Sequence, residues 1–134
     1  MSCFLLPMSL FEDIERAVYN FWWGGTEHTR KIHWISKQNL FKHKKEGGMG
    51  FKSLRDFNLA MLTKQIWRMH IHPTSLLAKC FKAKYFPNCD VFKAQIGYNP
   101  SYAWRSLHNS IWILNKGCCW RIGNGAQVHI NSDN

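Results

Sequence analysis

The spacing of apolar residues along the chain predicts four helices. In four stretches, apolar positions recur every three or four residues, which places them on one face of an α-helix. These stretches cover about residues 8–23, 53–71, 74–85 and 101–115. In the longest stretch the apolar face carries Leu59, Leu62, Ile66 and Met69. The chain is therefore expected to be mainly α-helical.

Residues at the helix ends support these boundaries. Pro7 suits the start of the first helix, and Gly24 follows its end. Ser53 precedes the second helix, with Asp56 three residues later, in a pattern like a capping box. The N–H groups near Ser53 are expected to be exposed and to offer one contact for an anion.

The apolar stripes also predict which side chains form the core. The first helix is expected to bury Leu10, Phe11, Ile14, Ala17, Val18, Phe21 and Trp22. The third helix is expected to direct five side chains inward, those of Leu76, Leu77, Cys80, Phe81 and Ala83. The fourth carries Trp104, Leu107, Ile111 and Leu114 on one face. The tryptophans at 22, 67, 104, 112 and 120 are interpreted as core residues rather than stacking platforms for bases.

The remaining segments carry weaker local signals. Residues 31–35 alternate polar and apolar side chains, which fits a short strand, while residues 36–40 fit a helical turn, and both alternatives stay open. Residues 91–100 are expected to form a loop. Gly123-Asn124-Gly125 between two β-type runs predicts a hairpin over about residues 118–130. The predicted fold is one mainly α, helical bundle-like fragment over residues 1–134, with a small C-terminal β-hairpin.

Positive charge is concentrated in the second quarter of the chain. The sequence has 18 Lys and Arg against 8 Asp and Glu, a net charge of +10. Eight basic residues and one acid lie between residues 30 and 55, in a basic, glycine-containing segment over residues 30–52. Such a chain is expected to meet polyanions, with an RNA or DNA backbone as the first partner. The candidate contacts are Arg30, Lys31, Lys42, Lys44, Lys45, Lys52 and Arg55. The alternative is that these lysines belong to a solvated loop.

Cysteine usage and hydropathy restrict the compartment. The five cysteines are odd in number and irregularly spaced, and no secretory signal is recognisable, so free thiols in a reducing compartment are expected. No apolar run is long enough to span a membrane. The compartment is left open: mitochondrial if the chain is organelle-encoded, otherwise nuclear or cytoplasmic, and not secreted.

The acidic residues, cysteines and histidines do not form a catalytic pattern. Polymerase chemistry needs carboxylates that hold two metals, but the adjacent pair Glu12 and Asp13 falls on the polar side of the first helix. Cys118 and Cys119 are neighbours and would point to opposite faces of a strand, which disfavours a zinc site with His129. We therefore expect no catalytic residues, metal, cofactor or small-molecule ligand.

Seven motifs in one order resemble a known family. They are Met1–Pro7, Phe21–Gly24, Lys31–Trp34, Gly47–Arg68, Lys82–Pro87 and Pro100–Ser106 with Trp120–Gly125. Over nearly the whole chain, they resemble the region just after the polymerase palm in the reverse transcriptase of plant LINE-type (non-LTR) retrotransposons. They are also similar to plant mitochondrial open reading frames of that origin.

The resemblance implies a role for this region in the parent enzymes and a reduced role for this chain. In the parent enzymes this region is expected to act like a thumb that grips the template–primer backbone. A palm precedes it there, and a zinc-binding region and a ribonuclease H domain follow it. The resemblance thus implies a non-catalytic remnant with sequence-independent backbone binding. The alternatives are a product without a selected function and a repurposed protein-interaction module, and the oligomeric state is left open.

Overall fold

Helices make up all the regular structure that the computed structural model of the protein describes, over residues 2–24 and 31–119. The longer helices are α1 (Met8–Trp22), α2 (Lys37–Phe41), α3 (Leu54–Ile71), α4 (Leu76–Tyr85), α5 (Tyr102–His108) and α6 (Ile111–Gly117). Two short 3-10 helices span Lys44–Glu46 and Val91–Lys93. The prediction of a mainly helical chain is confirmed.

Two local predictions have different outcomes. Residues 31–36 contain no strand and lead into α2, so the helical alternative for residues 36–40 is the correct one. The hairpin predicted over residues 118–130 lies outside the described residues, apart from Cys118 and Cys119, which have no regular structure.

The chain divides into two compact units. Unit 1 comprises residues 5–60, and unit 2 comprises residues 2–4 together with the chain from residue 61 onward. Residues 54–60 of α3 belong to unit 1 and residues 61–71 to unit 2. Each unit has buried residues of its own, and each is considered by itself.

Unit 1 has a small core around Phe11 and Leu40, which are both buried. The side chain of Asn58 is also buried, and its Oδ1 atom accepts the backbone N–H of Leu6 at 3.1 Å. A buried polar side chain is stabilising only when it is hydrogen-bonded. The hydrogen bond of Asn58 therefore connects the segment before α1 to the N-terminal part of α3.

The predicted burial of the whole apolar stripe of α1 is wrong. Only Phe11 is buried, and Ile14 is half-buried. The exposed members of the stripe are Leu10, Ala17, Val18, Phe21 and Trp22. Within the described part of unit 1, the other helices are the five-residue α2, a 3-10 turn and the start of α3. These short elements do not cover a helix of 15 residues.

Unit 2 is built around Trp104, which has no exposed surface. The rings of Phe81, Tyr85 and Phe86 lie 5.7, 4.8 and 5.5 Å from it, centroid to centroid, and Tyr85 stacks nearly parallel. The indole N–H of Trp104 donates to the carbonyl of Ile96 at 3.1 Å. Aromatic rings at these separations attract one another beyond the effect of their buried area.

The segment over residues 91–100 is more ordered than the predicted loop. Val91 and Ala94 are buried, and residues 91–93 form a 3-10 helix. The Nε2–H of His108 donates to the carbonyl of Ala94 at 3.0 Å. The side chains of Trp104 and His108, both on α5, therefore hold this segment in place.

Helix α4 faces its core differently from the prediction. Ala78 is buried and Phe81 and Tyr85 are half-buried, while Leu76 is 79% exposed. Ser75 caps the helix, because its Oγ accepts the N–H of Ala78 at 3.3 Å. Of the five side chains predicted to turn inward, only that of Phe81 contacts the rings around Trp104. These rings lie along the helix face that carries residues 78, 81 and 85.

The last predicted helix is divided into α5 and α6. Both the N–H and the hydroxyl of Ser110 donate to the carbonyl of Leu107, at 2.9 and 2.8 Å. This carbonyl would otherwise continue the α-helical pattern, and serine hydroxyls compete for backbone groups in this way. The predicted apolar face survives the break, because Trp104, Leu107, Ile111 and Leu114 are all buried.

Candidate nucleic-acid interface

The lysines before Gly47 lie on a hydrogen-bonded loop of unit 1. The N–H of Phe51 donates to the carbonyl of Leu40, and that of Gly50 to the carbonyl of Lys42, both at 3.0 Å. Inside this frame, the carbonyl of His43 accepts the N–H groups of Glu46 and Gly48 at 2.9 and 3.2 Å. We call residues 42–50 the lysine loop. Its closure by backbone hydrogen bonds gives the loop a defined shape.

Glycines make this shape possible. Gly47 and Gly50 have φ angles of +79° and +73°, which side chains of L-residues rarely allow. At Gly48 a Cβ atom would lie 2.1 Å from the carbonyl oxygen of Lys42. The loop therefore depends on glycine at residue 48 for close approach and at residues 47 and 50 for backbone conformation.

Lys42, Lys44 and Lys45 are exposed on this loop. The 3-10 turn Lys44–Glu46 begins at His43, whose Nδ1 accepts the N–H of Lys45 at 3.2 Å. Among the described residues, none of these three ammonium groups has a carboxylate partner within ion-pair distance. Three cations thus lie within four positions of one ordered loop.

The other predicted contacts lie at varying positions. Lys52 is exposed directly after the loop, and Arg55 is exposed on the first turn of α3. Lys31 is exposed on the segment before α2. Arg30 lies outside the described residues. Lys42, Lys44, Lys45 and Lys52 are therefore all exposed within residues 42–52.

Two N–H groups at the start of α3, where an anion contact is predicted, have partners within the protein. The N–H of Leu54 donates to Oε1 of Glu15 at 3.3 Å, and the N–H of Asp56 to Oγ of Ser53 at 3.3 Å. The cap by Ser53 agrees with the sequence pattern. However, the carboxylate of Glu15, 39 positions earlier, occupies the place of an external anion and complements the positive end of the helix dipole.

An apolar cleft lies beside the lysine loop. Its volume is about 240 Å³, and it is lined by Ile14, Glu15, Val18, Tyr19, Leu40, Phe41, Phe51, Lys52 and Leu54. Leu40 and Phe51 are also the two residues whose backbone hydrogen bond closes the frame of the loop. The loop therefore extends directly from the wall of this cleft.

Trp22 lies next to the cleft and is not a core residue. It is 49% exposed, and its ring meets Phe51 edge to face at 5.2 Å between centroids. Trp67 and Trp112 are also exposed, and Trp120 lies outside the described residues. The prediction that these tryptophans form the core is thus correct for Trp104 and wrong for the other three that the structure describes.

A second, more polar cleft of about 430 Å³ belongs to unit 2 and is lined in part by His70, Lys82 and Asp90. Nδ1 of His70 lies 3.3 Å from Oδ2 of Asp90, and both side chains are well exposed. Asp90 also caps the 3-10 helix Val91–Lys93 by accepting the N–H of Val91. The histidine ring packs against Phe92 at 4.6 Å. This arrangement is that of a structural cap.

The described residues contain neither a cluster of metal ligands nor a membrane-spanning helix. Across residues 2–24 and 31–119, no three His, Cys, Asp or Glu side chains are grouped as metal ligands would be. In the same part of the chain, no helix combines the length and the apolar character needed to cross a bilayer.

Sequence comparison connects the chain to two plant proteins. Neither a protein-family model nor a solved structure matches it. A "putative ribonuclease H protein" of Arabidopsis thaliana is 28% identical over 138 residues, which cover 99% of this chain but 22% of that protein. An uncharacterised mitochondrial protein of Arabidopsis thaliana is 38% identical over 131 residues, which cover 97% of this chain and 85% of that protein. The chain belongs to the same family as this mitochondrial protein.

Proposed function

We propose that the chain corresponds to the post-palm region of a plant LINE-type reverse transcriptase and binds the backbone of nucleic acids without sequence preference. The match to a segment of a longer protein named for ribonuclease H supports this origin, because LINE-type elements carry a ribonuclease H domain after the region that the chain resembles. The name of the mitochondrial relative supports a mitochondrial location.

The lysine loop is the observation that carries the binding role. Its three exposed ammonium groups lack carboxylate partners among the described residues, so a phosphate would not have to displace an internal ion pair. The backbone of the loop is already ordered by hydrogen bonds, which reduces the entropy lost on binding. Contacts between lysine and phosphate position a nucleic acid but carry no sequence information.

The site favours binding over catalysis. Lysine ammonium groups provide positive charge and hydrogen-bond donors. The one carboxylate within the loop, that of Glu46, is exposed, and the carboxylate of Glu15 in the adjoining cleft accepts the N–H of Leu54. We therefore propose a non-catalytic role in which the loop neutralises phosphates.

A titration with labelled nucleic acid at low salt tests this role. The variant carries Lys42→Gln, Lys44→Gln and Lys45→Gln, which remove charge but keep most of each stem. The control carries Lys64→Gln, Lys79→Gln and Lys93→Gln, at exposed positions of unit 2 with the same change in net charge. We expect the loop variant to lose at least tenfold more affinity than the control. Equal losses would show that net charge alone is responsible.

The bare apolar face of α1 favours a second candidate, a protein-interaction module. Phe21 is 81% exposed and Leu10 and Val18 are also exposed. Exposed apolar side chains on one helix are typical of surfaces that other proteins cover. If this role applies, Phe21→Ser should abolish a concentration-dependent association in sedimentation experiments and leave nucleic-acid affinity unchanged.

A further inference from the structure

We propose that the lysine loop and the adjoining apolar cleft together select single-stranded nucleic acid, with one unpaired base in the cleft and the flanking phosphates on the lysines. This inference rests on the proposed backbone binding and adds the class of nucleic acid that the site prefers. It concerns unit 1 alone.

The walls of the cleft suit a planar ring. Tyr19, Phe41 and Phe51 contribute aromatic side chains, and Ile14, Val18, Leu40 and Leu54 contribute aliphatic ones. The volume of about 240 Å³ is below the ~300–1,000 Å³ of pockets that hold drug-sized ligands. The cleft therefore fits one ring system, whereas a helix of a partner protein would need a longer groove.

The charge beside the cleft identifies the ring as a base. Lys52 lines the cleft, and Lys42 follows directly after Phe41, which also lines it. A base is attached to a phosphate chain that needs cations close by, and the lysine loop provides them. Proteins that bind single strands combine such a basic track with aromatic side chains on which bases stack.

Glu15 gives the cleft a polar end. Its carboxylate accepts the N–H of Leu54 at 3.3 Å, which fixes its position in the wall. A carboxylate repels phosphate but accepts hydrogen bonds from the amino group of a base, as acidic residues do from cytosine. The charges thus favour a base inside the cleft and phosphates outside it.

Trp22 extends the aromatic surface beyond the cleft. It is 49% exposed and held edge to face against Phe51, which lines the cleft. The exposed half of this ring offers a second base a surface on which to stack. A paired base in a duplex presents neither of its faces, so duplexes can reach only the lysines.

The test compares three probes of equal length: an unstructured single strand, the same strand with abasic sites and a duplex. The single strand is used as both DNA and RNA, and the larger affinity of the two identifies the natural backbone. With the full chain at low salt, we expect the single strand to bind at least about fivefold more tightly than the abasic strand, since stacking contributes about 1–3 kcal/mol per base.

Two pairs of variants locate the effect. Val18→Trp fills the rim of the cleft and Trp22→Ala removes the outer ring, and both should bring the affinity for the single strand towards that for the abasic strand. Leu76→Trp and Trp112→Ala are the controls, because Leu76 and Trp112 are exposed in unit 2 and should leave the difference unchanged. Trp22→Phe should retain it. Thermal unfolding of each variant shows that the fold is kept.

The outcomes separate the two proposals. Equal affinities for normal and abasic strands, with binding still dependent on the lysines, would overturn the single-strand inference and leave backbone binding intact. No binding of any probe would overturn backbone binding itself. Self-association that Val18→Trp abolishes would assign the cleft to a second copy of the chain and also overturn the inference.

Discussion

Units 1 and 2 use aromatic residues in opposite ways. In unit 2, Trp104 is fully buried against three rings, and its indole N–H is hydrogen-bonded to the carbonyl of Ile96. In unit 1, Phe21 and Trp22 are exposed, and Trp22 contacts Phe51, which directly follows the lysine loop. The same residue types thus provide stability in one unit and a surface in the other. Whether an aromatic side chain is buried or exposed therefore depends on whether other apolar side chains cover it, and not on its residue type.

The largest expected difference concerns the tryptophans. Trp104→Ala should lower the free energy of unfolding by about 3–5 kcal/mol, because it leaves a cavity among packed rings. Trp112→Ala, at a residue that is 53% exposed, should change it by less than about 0.5 kcal/mol. Urea unfolding followed by circular dichroism measures both. Similar losses would contradict the assignment of Trp104 as the centre of unit 2.

The small core of unit 1 is tested at Asn58. Asn58→Ala removes the buried acceptor for the N–H of Leu6, and a hydrogen bond of this kind contributes about 0.5–1.5 kcal/mol. Asn39→Ala is the control, because Asn39 is exposed on α2. The same urea experiment should show a clear loss for Asn58→Ala and little change for Asn39→Ala. If Asn58→Ala left the free energy of unfolding unchanged, the hydrogen bond between Leu6 and Asn58 would not contribute to stability.

The lysine loop is tested at Gly48. Gly48→Ala places a methyl group 2.1 Å from the carbonyl oxygen of Lys42, so the backbone must move. We expect a loss of about 1–3 kcal/mol in stability, as for other overpacked sites, and weaker nucleic-acid binding. Gly117→Ala, where a Cβ meets open space, should be neutral or slightly stabilising. Unchanged binding by Gly48→Ala would show that the shape of the loop does not matter.

A smaller effect is expected at Tyr85. Hydrogen bonds from Ser101, the side chain first and the backbone next, hold the pKa of the Tyr85 phenol below its usual value of 10.0. Ser101→Ala should raise this pKa, as measured by ultraviolet difference titration, with Tyr85→Phe to assign the signal. Since the folded pKa is lowered, the stability from this group is complete above pH 10 and is lost as the pH falls through the lowered pKa. An unchanged titration in Ser101→Ala would remove this link between α4 and α5.

The sequence predicts which residues share a helix face better than it predicts which of those residues are buried. In α3, the residues Leu62, Ile66 and Met69 share a face in the sequence and are all buried in the structure. In α1, the stripe also lies on one face, but most of it is exposed. Periodicity shows which side chains lie together, whereas burial depends on which other elements are near enough to cover them.

The candidate nucleic-acid interface also has features that the local sequence predicts and features that depend on the fold. Glycines are typical of tight turns, and Gly47, Gly48 and Gly50 form one in the structure. The approach of Gly48 to the backbone of Lys42 depends on the fold of the loop. The cap that Glu15 provides for Leu54 joins residues 39 positions apart, and local sequence patterns carry no signal for such a contact.

The salt dependence of binding tests the central claim most directly, namely that the lysine loop contacts phosphates. The described part of unit 2 is also basic, with eight Lys and Arg and one Asp between residues 61 and 119, so the comparison must hold net charge constant. Log–log plots of affinity against salt are measured for the wild type, the Lys42/Lys44/Lys45 triple Gln variant and the Lys64/Lys79/Lys93 triple Gln variant. With a single strand, the loop variant should lose about 2 units of slope, at ~0.7 per phosphate contact, and the unit 2 variant should lose close to none. Equal slopes for the two variants would contradict the claim.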